Sequence, residues 1–396
     1  MRTLFSSTPG DGHINPLVPL ATALTADGHQ VAFATSAEHA PKLRAHGFTW
    51  FECGPDSDTL TSRLVPHLGD LPALASPDYF PWVVSRRYAI ADARDRVTDL
   101  ETIVSTWRPD LLIFESCDLA TPIVSAVTGI PAIHHSFGRA FAPACYAESM
   151  PYIEPVWERF GAGRPPPLCG MYENKRFVDI CPRSIQSTGV SSSASVLTMS
   201  PAAPAPPEAA PQWIAQLPDR LSVYVTLGTV FNRIHEFRVF LEAFAEMELN
   251  LIMTIGSDND PAELGTPPTN VIIERFVAQD LLLPHVNAMV THAGSGSMLA
   301  ALSHGVPMLM LPRAADQYEN ASACSWFGVA RMLTPATVTP DLLAEELRLV
   351  LSDETYAERG REVRSEILTM PTPANVAAAI AESLTSEGTT GTIGAS

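Results

Sequence analysis

Basic residues are scarce in this sequence, and it contains no long apolar run. Lys and Arg number 25 against 43 Asp and Glu, which gives a formal net charge of −18 at pH 7. Because no Lys- or Arg-rich block occurs either, nucleic acid and anionic membrane surfaces are poor partners. The N-terminal residues MRTLF lead into turn-forming residues too early for a signal peptide. We expect a cytoplasmic protein with no stable membrane insertion.

Several motifs that carry chemistry are also missing. The six cysteines are spread along the chain without a Cys-x-x-Cys pair, which argues against a disulfide framework and a structural zinc site. The phosphate loop of NTPases, the nucleophile elbow of α/β-hydrolases and the zinc-protease motif do not occur. A Gly-x-Gly spans residues 10–12, but Asn15 stands where a dinucleotide fingerprint needs its third glycine. Nicotinamide binding is therefore disfavoured.

The sequence does contain two successive alternations of short apolar strands with helical segments. Strands are predicted at 2–7, 30–35, 49–53, 111–114, 132–135, 222–226, 251–255, 271–275, 288–291, 307–311 and 330–333. Such β-α alternation is typical of parallel, doubly wound sheets. We predict an α/β protein with two Rossmann-like β/α/β domains that face each other across a cleft.

A Ser- and Pro-rich stretch divides the two alternations, and it reads as an extended linker over 190–218. The predicted parts are an N-terminal Rossmann-like domain (1–200), an interdomain linker (201–218), a C-terminal Rossmann-like domain (219–372) and a C-terminal helix with a disordered tail (373–396). The C-terminal helix could cross back to the N-terminal domain.

Two segments of the first domain show no clear period, and we predict irregular surface structure there. One covers 55–85, and the other covers 139–175. The second segment holds aromatic residues that could line an acceptor pocket or serve packing equally well. These residues are Tyr152, Trp157, Phe160 and Tyr172.

His13 follows the first predicted strand, at the edge of the sheet where ligands collect in parallel α/β folds. A histidine acting there as a general base needs a carboxylate to orient it and to stabilise its protonated ring. Glu115 ends the fourth strand, and Asp118 lies three residues further on. Either could be the partner, and the other would cap a helix. We favour Glu115.

A second candidate site lies in the stretch 288–321. A buried strand ends at His292 and opens into the Gly294–Ser297 turn, for which we predict Ser297 as the N-cap of the next helix. Unpaired backbone amides at a helix start attract phosphate groups. A second strand leads to Asp316 and Gln317. Together these residues predict a pocket for a phosphate and a polyol.

Two Asp-x-Asp triplets, at 56–58 and 258–260, could chelate a divalent metal. Both lie among Gly, Pro, Ser and Asn, where Asp commonly stabilises turns through its own hydrogen bonds. We predict turns at both places and no metal site.

These pieces together resemble a known family. The stretches VYVTLGT (223–229), RFVAQDLLLPHVNAMVTHAGSGS (275–297) and GVPMLMLPRAADQYENA (305–321) are similar to the nucleotide-sugar signature of family 1 glycosyltransferases with the GT-B fold. The pattern GHxxPLxxLAxxLxxxGHxV falls within 8–31. The chain resembles most closely the bacterial enzymes that glycosylate antibiotics, macrolides and other polyketide aglycones.

The resemblance implies a role for each matching position. His13 would be the catalytic base and Glu115 its acidic partner. His292 and Thr229 would contact the donor diphosphate, and Val277 would pair with the nucleobase through its backbone. Further donor contacts are implied for Gly294, Ser295, Gly296, Ser297, Asp316 and Gln317. Ala278 and Ser297 depart from the usual proline and threonine, but neither change removes a backbone amide or a hydroxyl.

The expected activity is that of an inverting, metal-independent hexosyltransferase. It would move a sugar, in our reading a deoxysugar, from a TDP- or UDP-sugar to a hydroxyl of a hydrophobic aglycone in antibiotic biosynthesis. The nucleotide sugar is a co-substrate, so no cofactor is expected, and a homodimer is left open. One alternative is a nucleotide-sugar 2-epimerase of the same architecture, which needs no acceptor. Another is a non-catalytic helper protein, which would bind no donor.

Overall fold

The computed structural model describes residues 1–161, 163, 176–187, 196–201, 210–228, 233–244, 246–334 and 338–390, with side chains to residue 384. The chain divides into two compact units. The first consists of 1–181, 187–202 and 370–396, and the second of 182–186 and 203–369.

The described strands of the first unit form one sheet with seven parallel strands. They are β1 (Arg2–Ser6), β2 (Gln30–Thr35), β3 (Thr49–Glu52), β4 (Leu111–Glu115), β5 (Ala132–His135), β6 (Phe177–Asp179) and β7 (Val196–Thr198). Their order is β3-β2-β1-β4-β5-β6-β7, and Phe5 of β1 lies in register with Phe33 and Ile113 on either side. The direction of winding reverses between β1 and β4, which opens a crevice at their carboxyl ends.

Helices cover this sheet, and apolar side chains fill the space between them. The α-helices are α1 (Asp11–Ile14), α2 (Val18–Ala26), α3 (Ala40–Ala45), α4 (Ser57–Leu64), α5 (Tyr79–Val83), α6 (Ala93–Trp107), α7 (Thr121–Thr128) and α8 (Pro143–Arg159). A π-helical segment, Val84–Ile90, continues directly from α5.

The second unit repeats this plan with six parallel strands in its described part. They are β8 (Ser222–Thr226), β9 (Asn250–Thr254), β10 (Val271–Glu274), β11 (Ala288–Thr291), β12 (Met308–Met310) and β13 (Ala330–Met332), in the order β10-β9-β8-β11-β12-β13. The α-helices are α9 (Arg238–Phe244), α10 (Gln279–Leu282), α11 (Ser295–His304), α12 (Gln317–Phe327), α13 (Pro340–Ser352) and α14 (Glu354–Thr369). Winding reverses here between β8 and β11.

The last helix, α15 (Pro373–Thr390), belongs to the first unit and packs against α2. In the described parts of the chain, no helix combines the length and the apolar character needed to cross a bilayer. The predicted fold of two parallel-sheet α/β units is confirmed.

Three expectations about irregular segments are wrong. The segment 55–85 contains α4 and α5, and Phe80 and Trp82 are buried there. The segment 139–175 contains α8 despite its interior prolines, because its buried residues recur at helical spacing and pack inward. The predicted linker over 190–218 contains β7, which pairs with β6. Composition alone does not reveal these contacts.

Candidate active site

The loop after β1 places His13 at the carboxyl end of the first sheet. Gly10 precedes α1 with φ 136°, a value that disfavours other residues. A Cβ atom on Gly10 would also lie 2.9 Å from Cδ2 of His13, so the glycine leaves room for the ring. The helix begins at Asp11. The N–H groups of His13 and Ile14 already donate to the Gly10 carbonyl.

Glu115 ends β4, the neighbour of β1, and its carboxylate reaches the His13 ring. Oε2 lies 3.2 Å from Nδ1 of His13. Oε1 accepts hydrogen bonds from the backbone N–H of Thr8 at 3.1 Å and from its hydroxyl at 2.7 Å. Oε2 accepts one from the N–H of Cys117 at 2.7 Å.

These contacts keep the fully buried Glu115 ionised. Burial raises the pKa of its carboxyl group, but the interaction with His13 and the hydrogen bonds from Cys117 and Thr8 outweigh the effect of burial. The net result is a pKa below the ordinary value. A fixed negative charge thus lies beside one nitrogen of the imidazole.

Asp118, the other carboxylate that the sequence left open, bonds elsewhere. Its Oδ1 accepts from the N–H groups of Ala120 and Thr121 at 2.9 and 3.0 Å. Its Oδ2 accepts from the Thr121 hydroxyl at 2.7 Å. These bonds hold the start of α7, so of the two candidates it is Glu115 that the fold brings to His13.

The second nitrogen of His13 faces a residue that the sequence did not indicate. Nε2 lies 3.3 Å from the hydroxyl of Tyr88, which projects from the π-helical segment. The ring of Phe137 packs edge-on against the imidazole, with centroids 4.9 Å apart. The His13 side chain remains 17% exposed. A small acceptor could therefore approach it.

Among the described residues, one trio of side chains has its potential metal-ligating atoms within 4.8 Å of one another: His13, Glu115 and Cys117. The carboxylate of Glu115 already accepts hydrogen bonds from Thr8 and Cys117, which use three of its roughly four lone-pair sites. The Asp-x-Asp triplets form turns and caps. Asp56 accepts from the N–H of Thr59, and Asp260 accepts from a backbone N–H two residues on.

The predicted acceptor-pocket aromatics lie on α8 or beyond it. Trp157 is buried in packing, and Tyr152 lies beneath the guanidinium of Arg86. Tyr172 lies outside the described residues. Phe137 packs against the His13 ring. It also contacts Phe141, which in turn contacts Phe80 on α5. No pattern in the sequence indicates these ring contacts, because Phe137 and Phe141 lie in the loop between β5 and α8 whereas Phe80 lies on α5.

His292 occupies the corresponding switch point in the second unit, directly after β11. Its ring lies between two glycines. A Cβ on Gly228 would be 2.6 Å from Cε1 of the ring, and a Cβ on Gly294 would be 2.4 Å from Nε2. Burial lowers the pKa of His292 to about 4, with a further contribution from the charge of Arg313. The ring is therefore neutral at pH 7, with one N–H to donate.

Hydrogen bonds among polar side chains hold the first turn of the helix that follows His292. Helix α11 begins at Ser295, so the predicted N-cap at Ser297 is wrong. The Ser295 hydroxyl donates to Asp316 at 2.6 Å, and the Asn320 amide donates to the same carboxylate at 2.9 Å. Asn320 also donates to the carbonyl of Ala293. Sequence indicated Ser295 and Asp316 but assigned no role to Asn320.

The remaining predicted donor residues have these positions. Gln317 accepts through Oε1 from the N–H groups of Arg313 and Ala314, at 2.8 and 3.0 Å. The hydroxyl of Ser297 accepts from the Gln279 amide at 3.0 Å. Val277 is buried, and Gly296 is exposed in the first turn of α11. Thr229 lies outside the described residues.

Two doubly wound units define the GT-B class of glycosyltransferases, and this chain carries a histidine–carboxylate pair at one switch point and a glycine-enclosed histidine at the other. Comparison with protein families gives the same class. Residues 80–228 match the N-terminal domain and residues 238–383 the C-terminal domain of the erythromycin biosynthesis protein CIII-like family. The chain belongs to this family of antibiotic glycosyltransferases.

Individual relatives agree along almost the whole chain. It is 30% identical to the L-demethylnoviosyl transferase of Streptomyces niveus, covering 96% of this chain and 98% of the relative. It is 27% identical to the 3-alpha-mycarosylerythronolide B desosaminyl transferase of Saccharopolyspora erythraea, covering 95% and 96%. The crystal structure of the glycosyltransferase SnogD from Streptomyces nogalater matches with a TM-score of 0.79 and 26% identity, over 97% and 99%.

Proposed function

We propose that this glycosyltransferase moves a deoxysugar from a nucleoside diphosphate to a hydroxyl group of a natural-product aglycone, with inversion at the anomeric carbon and without a metal ion. The observation that carries the proposal is the contact between His13 and the buried, ionised Glu115. A base held in this way suits the deprotonation of an acceptor hydroxyl.

In this mechanism Nε2 of His13 takes the proton of the acceptor hydroxyl while the oxygen attacks the anomeric carbon. The ring becomes an imidazolium, and the negative charge of Glu115 at 3.2 Å from Nδ1 stabilises it. Attack from the face opposite the leaving group inverts the configuration. The bond to the diphosphate oxygen breaks with its electron pair, so the diphosphate departs as an anion.

The second unit would stabilise this departing anion. The neutral ring of His292 offers an N–H donor. The first backbone amides of α11 lie at the N-terminus of the helix, which carries the positive end of the helix dipole. These groups supply charge stabilisation of the kind that a divalent metal supplies in other enzymes. A metal-independent reaction is consistent with that arrangement.

The names of relatives support a class of donor and acceptor. They include a desosaminyl transferase for 3-alpha-mycarosylerythronolide B, a mycarosyltransferase for demethyllactenocin and a rhodosaminyltransferase for aklavinone. Two solved structures of similar fold are complexes with thymidine diphosphate. We propose a TDP-deoxysugar as the donor, with a UDP-sugar as the second choice. A protein of this class requires an acceptor for turnover, whereas a 2-epimerase would convert the nucleotide sugar alone.

The test is to compare wild-type protein with the H13A variant, using a panel of TDP- and UDP-sugars and a panel of polyketide aglycones. Loss of the general base should reduce transfer by roughly 100- to 10,000-fold. Binding of TDP, measured by calorimetry, should stay nearly unchanged because His13 lies in the first unit. NMR of the product gives its anomeric configuration.

The exposed His46 provides a matched control, and the H46A variant should keep wild-type turnover. A further arm adds EDTA. Wild-type turnover by H13A would contradict the assignment of the base, and activity abolished by EDTA would contradict the metal-free mechanism. Conversion of the nucleotide sugar without any acceptor would favour the epimerase.

A further inference from the structure

Tyr88 occupies the side of the His13 ring where the acceptor hydroxyl has to bind. Its hydroxyl lies 3.3 Å from Nε2, and the two rings meet edge-on with centroids 5.7 Å apart. The residue lies in the π-helical segment, a geometry that is rare in proteins and frequent at functional sites. The side chain is buried, with 7% of its surface exposed.

The donor and acceptor in this contact follow from the neighbouring groups. Nδ1 of His13 faces a carboxylate, which only accepts, so Nδ1 carries the proton of the neutral ring. Nε2 then offers a lone pair. Burial holds the pKa of Tyr88 well above its ordinary value, so the phenol keeps its proton at neutral pH. The Tyr88 hydroxyl therefore donates to Nε2 of His13.

We propose that Tyr88 is a positioning residue, whose hydroxyl occupies the Nε2 position of His13 and holds the ring in the form that can accept a proton until an acceptor hydroxyl replaces it. The proposal rests on the function proposed for His13. It adds a device that prepares the base before the acceptor binds. The acceptor hydroxyl then takes over the hydrogen bond that Tyr88 releases.

Titratable groups on the sides of β2 and β4 also lie near His13. Glu115 and Cys117 lie on the β4 side, and the thiol of Cys117 also interacts with the Tyr88 hydroxyl. His39 lies on the β2 side, where it accepts from the N–H of Gly10 and contacts Asp11. The hydroxyl of Tyr88 lies within hydrogen-bond distance of Nε2.

Opposite effects on the titration of the ring are expected from the two neighbours. A hydrogen bond donated to Nε2 favours the neutral ring, so the Y88F variant should titrate at higher pH, by about half a unit to one unit. The negative charge of Glu115 favours the protonated ring, so E115Q should titrate at lower pH. If Tyr88 only filled space, its replacement by Phe would leave the midpoint unchanged.

The experiment is an NMR titration of the full-length protein labelled with ¹⁵N-histidine, without any substrate. The His13 signals are assigned by their loss in H13Q. In wild-type protein we expect the tautomer with the proton on Nδ1. In Y88F we expect the same tautomer, because Glu115 still faces Nδ1, together with the upward shift of the midpoint. The acid limb of the pH profile for kcat/KM of the acceptor should move by the same amount.

Y146F is the matched control, because Tyr146 is also buried and its hydroxyl donates to the carbonyl of Ser116 rather than to His13. It should leave the tautomer and the midpoint of His13 unchanged. An unchanged His13 titration in folded Y88F would overturn the proposal. Because this measurement needs no turnover, it is independent of the H13A activity test and can fail or succeed without it.

Discussion

The ring of His292 fits between two glycines, and this fit limits which side chains the donor loop accepts. Gly228 has φ 77°, so a larger residue there would be strained for its backbone as well as for space. Gly294 has φ −62°, which any residue adopts, and its restriction comes from the ring alone. Gly296 lies two residues on, and a Cβ there would meet nothing within 4 Å.

We predict that G294A weakens TDP binding by about tenfold to a hundredfold, while G296A keeps nearly the wild-type affinity. The added methyl group at residue 294 must displace the His292 ring, which would cost a hydrogen bond to a charged ligand. Both variants keep their backbone amides. Calorimetry with TDP and UDP provides the measurement. Equal affinities for the two variants would show that the ring has no part in donor binding.

The positions of His13, Glu115 and His292 could be predicted from the sequence, because Glu115 ends an apolar strand, the other two follow one, and strand ends mark sites in parallel sheets. Tyr88 could not. Its approach to His13 depends on the π-helical turn, and no residue pattern in VVSRRYAI distinguishes that turn from an α-helix. The two glycines 294 and 296 also look equivalent until the position of the histidine ring is known.

At the scale of elements, a buried ion pair ties the start of α6 to the ends of two strands. Arg96 is fully buried, and its guanidinium donates to both carboxylate oxygens of Asp92 at 2.8 and 3.2 Å. It also donates to the carbonyl of Ser7, just after β1, at 2.9 Å. A Cβ on Gly54, after β3, would lie 2.7 Å from the guanidinium. Arg96 thus fixes the start of the loop that leads from β1 to His13.

We predict that R96M lowers the free energy of unfolding by about 3–5 kcal/mol, because it leaves Asp92 buried without its partner. The double variant R96M/D92N should recover part of that loss, since an amide carries no charge into the interior. Urea unfolding of the three proteins at pH 8 gives the comparison. A double variant less stable than R96M would contradict the idea that the uncompensated charge dominates.

Most strands could be predicted to within one or two residues, because parallel strands that are buried on both faces read as short apolar runs. The helices α4 and α8 could not. Proline removes a backbone donor, and Asp, Ser and Gly favour turns, so local preference argued against both helices. Burial of residues such as Tyr146 and Trp157 outweighs that preference in the folded chain.

At the scale of the whole molecule, the same winding pattern occurs twice, and each unit places its candidate site at the reversal of strand order. This arrangement could be predicted from the β-α alternation. The return of α15 to the first unit could not be derived in the same way, because it depends on the contact with α2 rather than on a local pattern. Each unit also holds a histidine with a lowered pKa, the buried His135 in the first and the partly buried His292 in the second.

These two histidines should make the molecule lose stability as the pH falls from about 6.5 to 4. Burial lowers the pKa of His135 to about 4 from an ordinary value of 6.5, so in this window the unfolded chain binds a proton that the folded chain does not. For His135 the loss is about 3 kcal/mol at pH 4. We predict that H135N, whose amide can still donate to the Ser136 carbonyl, has a shallower decline by about that amount. Urea unfolding across pH 4–8 measures it. The wild-type and H135N curves should run parallel above pH 7, and curves that also stay parallel below pH 6 would show that His135 does not remain neutral in the folded protein.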